Sequence, residues 1–202
     1  MMSPSSLPSV THILNVMGLS PDLSGIAPAI LERARRRGTM LHEAIEAHTY
    51  GYLDRGVLDE EVKGLLAGHE RFLSETGYKS IVAEKELVSD VWGVIGHVDG
   101  VGWIGPERTI PDWKGVAVFD PWSVSYQLAA YRMLWNETHP KEPVERLIGI
   151  QFRPNGTYRM HQVPRDAAEA QRLGVKGPTV AEATQVFQAA TIVFKARERR
   201  TA

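Results

Sequence analysis

Residues 93–131 read GVIGHVDGVGWIGPERTIPDWKGVAVFDPWSVSYQLAAY, and they decide the fold. GVIGHVDGVGW has the β-branched and glycine content of a strand, IGPER supplies a Gly-Pro reversal, and TIPDWKGVAVF reads as the returning strand. Asp120-Pro121-Trp122-Ser123 is then a helix start, with Asp at a favoured capping position and Pro where its missing N–H costs nothing. Residues two apart on a strand face the same side, so Asp112 and Lys114 share a face and Trp113 takes the other. Pairing the two strands brings Asp99 toward Asp112. Two neighbouring carboxylates repel unless a cation joins them, and hard oxygen donors suit Mg2+ or Mn2+. The following helix sets Gln127 and Tyr131 four apart on one side. An Asp-X-Lys triplet is ordinarily a solvated strand face. This one lies in an otherwise apolar run (Ile110, Val116, Val118, Phe119), where charges are costly unless paired or bound to metal.

Working outward toward the N-terminus, Ser9 can cap a short helix that ends at Gly18. A helix is expected over 27–36, the Arg37-Gly38 step breaks it, and Thr39 caps another that carries His42 and Glu46 four apart on one face. Residues 59–75 repeat Val62, Leu65, Leu66, His69, Phe72 and Leu73 at helical spacing up to Gly77. KSIVAEKELVSD (79–90) alternates as a strand, with Glu84 and Glu86 on one face and Ile81, Ala83 and Lys85 on the other. Either acid could reach metal-bound water, but the pair reads best as the solvated face of an edge strand. His97 shares the strand face of Asp99, where packing and a substrate phosphate are both open to it.

Beyond the central stretch, ERLIGIQF (145–152) and TYRMHQV (157–163) are joined through Asn155-Gly156, a strong hairpin signal. Thr179 and Glu182 form a capping box that opens a last helix. No repeat or linker interrupts residues 1–202, so one domain is expected. Its class is α/β or α+β, with a central mixed sheet flanked by helices.

The composition narrows the chemistry. A chain of 202 residues, 43% hydrophobic, can bury one sizeable core. With no cysteine there is no disulfide framework, thiolate zinc site or cysteine-held iron–sulfur cluster. No apolar run approaches a membrane span, and MMSPSSLPSV lacks the regions of a signal peptide, so a cytoplasmic protein without a membrane partner is expected. The net charge of −1 hides local patches. Arg33, Arg35, Arg36 and Arg37 crowd before Gly38, where they suit contact with a polyanion such as a DNA backbone, and Lys195, Arg197, Arg199 and Arg200 close the chain, where solvated cations that complement a helix dipole are an equally good reading.

In order, the chain carries Arg37-Gly38-Thr39-x-x-His42-x-x-x-Glu46, Gly96-x-x-Asp99, Asp112-x-Lys114 and Gln127-x-x-x-Tyr131, preceded by Pro8-Ser9-Val10-Thr11-x-Ile13-Leu14. This resembles the RecB-like branch of the PD-(D/E)XK nuclease superfamily. That branch includes stand-alone phage exonucleases, the nuclease domains of bacterial recombination helicases and the mitochondrial genome maintenance exonuclease. The resemblance implies a restriction-endonuclease-like core and a metal-dependent DNA exonuclease acting at single- or double-stranded ends, in recombination or repair in a bacterium or phage-infected cell. An endonuclease or nickase of the same fold, or a DNA-binding module without turnover, are the alternatives.

By the same resemblance, Asp99 and Asp112 bind one or two Mg2+ or Mn2+ ions, with the backbone carbonyl of Trp113 and with His42 completing the site. Glu46 supports His42 from behind or reaches a second ion through water. Lys114 orients the attacking water or stabilises developing charge, and Gln127 and Tyr131 position Lys114 and the scissile strand. Stand-alone relatives often work beside a single-strand annealing protein. Two departures stand out. Gly115 follows Lys114 where Thr or Ser is frequent, and the absence of cysteine removes the iron–sulfur staple of some relatives, pointing to the stand-alone type.

Overall fold

The computed structural model describes residues 7–115 and 118–201. Five strands form one mixed sheet in chain order: β1 (Lys79–Ser89), β2 (Val94–Ile104), β3 (Glu107–Lys114), β4 (Arg146–Phe152) and β5 (Tyr158–Gln162). Neighbours run antiparallel except β3 and β4, which are parallel. A parallel pair needs a crossover, and helix α4 (Pro121–Thr138) supplies it. The other helices are α1 (Val10–Val16), α2 (Pro28–Tyr50), α3 (Glu60–Thr76), α5 (Ala167–Leu173) and α6 (Val180–Thr201). The α/β architecture expected from the sequence, a mixed sheet flanked by helices, is the one observed.

The sheet separates two cores. On one face, Ile13 of α1, Leu128 and Leu134 of α4 and Phe187 of α6 pack on Val98, Ile110 and Leu147 of the strands. On the other, Leu41 and Ile45 of α2 and Leu65 and Phe72 of α3 pack on Trp113, Ile148 and Ile150. Trp113 is the pin of that second core. Its ring lies 5.2 to 5.8 Å from those of His69, Phe72, Tyr78 and Phe152. A slip of β3 by one residue would turn the indole toward α4 and drive Asp112 and Lys114 into this aromatic cluster, so Trp113 fixes which way the two charges point.

Most local signals are realised. The Ser9 hydroxyl accepts from the His12 N–H, Asp120 caps α4 at Trp122, and Thr179 and Glu182 bond reciprocally at the start of α6. The Asn-Gly turn joins β4 to β5, with Gly156 at φ 75°. Two expectations are corrected. Instead of breaking at Gly38, α2 continues as one helix from Pro28 to a left-handed Gly51. An interior glycine costs about 1 kcal/mol relative to alanine, too little to end a helix whose Leu41, Ala44 and Ile45 are buried beyond it. The second correction is to β3, which stops at Lys114 rather than running on to Phe119. Val118 is 85% exposed, and Val116 lies outside the described residues. Helix α5 was not foreseen; Asp166 caps it and Gly174 ends it. Among the described residues no helix is long and apolar enough to cross a membrane.

Candidate functional site

The site forms where β2 and β3 part company. Their paired register ends at Gly102 and Thr109, and Pro111 on β3 has no N–H to donate. Beyond that point the Asp99 carboxylate replaces the ladder, accepting the Trp113 N–H at 2.6 Å. This places Asp99, 7% exposed, beside fully buried Asp112 on the next strand. The Lys114 ammonium lies 2.9 Å from Asp112 Oδ1, while Oδ2 is buried without a hydrogen-bond partner among the described residues.

From α4, Gln127 Oε1 accepts from Lys114 Nζ at 3.4 Å, and Gln127 Nε2 donates to the Tyr131 hydroxyl at 2.9 Å. The chain Asp112, Lys114, Gln127, Tyr131 is thus continuous. Gly96 on β2 makes room for it, because a β-carbon there would press on the Tyr131 ring and Leu134. From α2 on the opposite side, His42 reaches over the end of the sheet. Its Nε2 lies 3.0 Å from the Trp113 carbonyl oxygen, and its Nδ1 lies 3.1 Å from Glu84 Oε1 and 3.6 Å from Asp99 Oδ1.

Glu84 is the residue that sequence reasoning assigned to solvent. Its φ of 50° is the one left-handed value outside glycine among the described residues. The register of β1 slips between Ser80 and Val82, just before it. That irregularity swings Glu84 toward α2 while Glu86 stays exposed. Tyr50, the last residue of α2, braces the bend, its hydroxyl lying 3.2 Å from the Ala83 nitrogen and 3.4 Å from the Ala83 oxygen. Glu84 Oε2 faces His97 Nε2 at 3.2 Å, so one carboxylate joins two imidazoles. A non-glycine residue with positive φ costs free energy that its surroundings must repay, and such outliers gather at functional sites. Glu46 lines the same cleft as His42, and the carboxylate at hydrogen-bond distance from the His42 ring is that of Glu84.

The electrostatics follow from crowding anions in a dry place. Burial pushes the Asp99 carboxyl well above the ordinary carboxylate value, against the pull of His42. Burial opposes charge on His42, yet Asp99, Glu84 and Asp112 outweigh it and raise the imidazole to about 9. Burial likewise disfavours the Lys114 ammonium, and Asp112 and Asp99 again reverse the balance and raise it. Lys114 is therefore a held cation and a hydrogen-bond donor, with no lone pair to act as a base near neutral pH. Burial pushes the Tyr131 phenol far up, so its hydroxyl stays neutral.

His42, Glu84 and Asp99 offer ligand atoms within 4.8 Å of one another. With the unpartnered Asp112 Oδ2 and the Trp113 carbonyl beside them, the donors are hard oxygens plus one imidazole. That set could hold a divalent cation and lacks the thiolate that would favour a softer metal.

The arginines of α2 are mostly engaged. Arg33 and Arg37 converge on Glu61, Arg35 pairs with Glu32, and Arg37 Nε donates to the Gly115 carbonyl oxygen at 3.0 Å, tethering the end of β3. Arg36 is exposed and has no ion pair among the described residues.

No protein-family model matches the chain, and no curated protein matches it in sequence. Solved structures resemble it at low identity. A provisionally assigned exonuclease from Eubacterium rectale aligns over 94% of this chain and 76% of its own, at 11% identity and a TM-score of 0.45. LHK-Exo, solved in complex with dAMP, aligns over 97% of this chain and 95% of its own, at 13% identity and a TM-score of 0.40.

Proposed function

We propose that this protein is a metal-dependent deoxyribonuclease of the RecB-like type that hydrolyses phosphodiester bonds at DNA ends. One observation carries the reading. Fully buried Asp112, paired with partly buried Lys114 that Gln127 holds from α4, interacts electrostatically with a second set of donors, His42 and Asp99 with Glu84, and Asp112 Oδ2 has no hydrogen-bond partner among the described residues. A buried carboxylate left half satisfied is expensive, and a divalent cation is the simplest group that would satisfy it.

Asp99, Asp112, Glu84, His42 and the Trp113 carbonyl would hold that cation, Mg2+ or Mn2+. When bound, it supplies Lewis acidity to the scissile phosphate and lowers the pKa of a water. The protein's own residues do the rest. Lys114 presents its ammonium beside Asp112, where it orients water and offsets charge that develops on phosphate oxygens. Gln127 fixes the lysine rotamer, and Tyr131 fixes Gln127. Arg33, Arg35, Arg36 and Arg37 lie on the same helix as His42 and contact the DNA backbone; Arg36 does so directly, and the others by exchanging a carboxylate for a phosphate.

The test is a time course on end-labelled linear and covalently closed circular DNA with Mg2+, Mn2+ or EDTA, comparing wild type with Lys114→Ala. Metal-dependent loss of linear DNA alone, absent in the variant, is the expected result. Cleavage of circles would replace the exonuclease with an endonuclease at the same residues. Salt-sensitive binding without cleavage would leave a DNA-binding module.

A further inference from the structure

The clefts near the end of β3 differ in charge. The one beside His42, about 640 Å³, is lined by Glu43, Glu46 and Glu84. Two others, of about 500 and 530 Å³, share Gln151 and Arg153, and among the described residues no carboxylate lines either of them. Gln151 on β4 stands opposite Lys114 in the parallel register, so the junction of these clefts adjoins the site. Their cations are Arg37, Arg153 and Arg159. Arg153 and Arg159 are exposed at the β4–β5 hairpin and have no ion pair among the described residues. Most arginines elsewhere are otherwise disposed: Arg33, Arg35, Arg55, Arg71, Arg165 and Arg172 each hold a carboxylate.

The floor between Arg153 and Arg159 is apolar and partly aromatic. Met160 is 49% exposed, and the Phe119 and His161 rings lie 6.0 Å apart. A duplex offers such a surface only phosphates and groove edges. An unpaired strand offers phosphates and the faces of its bases, which stack on aromatic and apolar groups. We infer that the cleft along the β4–β5 hairpin holds a single-stranded segment leading to Lys114, its phosphates on Arg153 and Arg159 and a base against Phe119, Met160 and His161. This inference rests on the phosphodiesterase reading and adds the state of the substrate that reaches the site.

Binding is measured by fluorescence anisotropy in EDTA, which prevents turnover, with a labelled oligothymidylate of about twelve nucleotides and a duplex of the same length. The Arg153→Ala/Arg159→Ala variant removes two exposed side chains that make no ion pair among the described residues, and its melting curve serves as the check on folding. Its single-strand affinity is expected to fall at least about tenfold, and its log–log salt slope to shrink by about 1.4, the share of two phosphates on a single strand. Duplex affinity should change far less. Arg71→Ala/Lys141→Ala, which removes two exposed cations that line none of these clefts, should leave both unchanged.

Unchanged single-strand affinity in the hairpin variant would overturn the inference, and an equal loss for duplex would make the cleft a duplex path. If wild type cuts DNA while the hairpin variant binds and cuts as well as wild type, only this inference falls. If wild type neither binds nor cuts either form, the phosphodiesterase reading falls and takes this one with it.

Discussion

Glu84 holds His42 with one oxygen and His97 with the other, from a backbone conformation that costs free energy to maintain. Glu84→Gln keeps the shape and removes the charge. We expect affinity for Mn2+ to fall by about 10- to 100-fold, as when a group that orients a ligand is lost. Titration calorimetry on the folded variant reads this directly, and unchanged affinity would exclude Glu84 from the cation's surroundings. His42 adds a pH dependence. Its metal-free imidazole is raised to about 9, so below that pH a cation must displace a proton to gain the ring. Mn2+ affinity should therefore climb with pH toward about 9, with proton release that grows in buffers of lower pH, and His42→Ala should weaken binding and flatten the climb. A climb equally steep in His42→Ala would place the displaced proton on Asp99, whose carboxyl is also raised.

Two helical glycines set opposite expectations at the scale of the element. Gly38 sits inside α2 with open space where a β-carbon would go. Gly38→Ala should stabilise the protein by about 0.5–1 kcal/mol in urea denaturation, because alanine loses less backbone freedom on folding. A loss of stability would mean that α2 is interrupted there in solution. Gly64 lies in α3 against the β4–β5 turn, and a β-carbon there would collide with the Pro154 carbonyl oxygen. Gly64→Ala should cost about 1–3 kcal/mol as the turn is pushed off the helix. These elements also show which features the sequence discloses. Caps, the Asn-Gly hairpin and the Asp112–Lys114 face were legible because each depends on residues within a turn or two of strand. The continuity of α2 was not, because packing from Leu41 and Ile45 overrides the cost of one glycine. The reach of Glu84 was hidden as well, since a register slip and a positive φ break the two-residue alternation on which a strand reading depends. The ion partners of Arg33 and Arg37 come from Glu61 on another helix, which no local pattern reveals.

For the whole molecule, two histidines on the same side of the sheet bend stability in opposite directions with pH. His69, 2% exposed between Trp113 and Phe152, is held neutral; burial foremost, and then the nearby His48, lower its pKa to about 3. Its unfolded value is the ordinary 6.5, so as pH falls below 6.5 the unfolded chain takes up a proton that the folded protein refuses. Its share of the stability must decline from there toward pH 3, by at most about 1.4 kcal/mol per pH unit. His42 works the other way. Raised to about 9, it contributes stability that is fully present below 6.5 and lost as pH rises through 9. Glu169, lowered to about 2 chiefly by the Arg165 hydrogen bond, loses its contribution only below its unfolded value of 4.5, and its partners are more than half exposed, which weakens the effect. Asp99 opposes His69 on the acid side: raised to about 6 by burial, it takes up a proton in the folded protein before the unfolded chain does, and between about 6 and 3.8 it offsets much of the loss that His69 causes. Urea midpoints of the metal-free protein should therefore change little from about pH 5 to 6.5 and fall from there to about pH 9, with His69→Leu turning the acid side into a rise toward low pH and the alkaline limb lifted by Mg2+, which replaces the departing proton among Asp99, Glu84 and Asp112. An acid side of unchanged slope in His69→Leu would mean that His69 is not the group held neutral. An alkaline limb indifferent to Mg2+ would mean that the cluster around His42 holds protons but no cation.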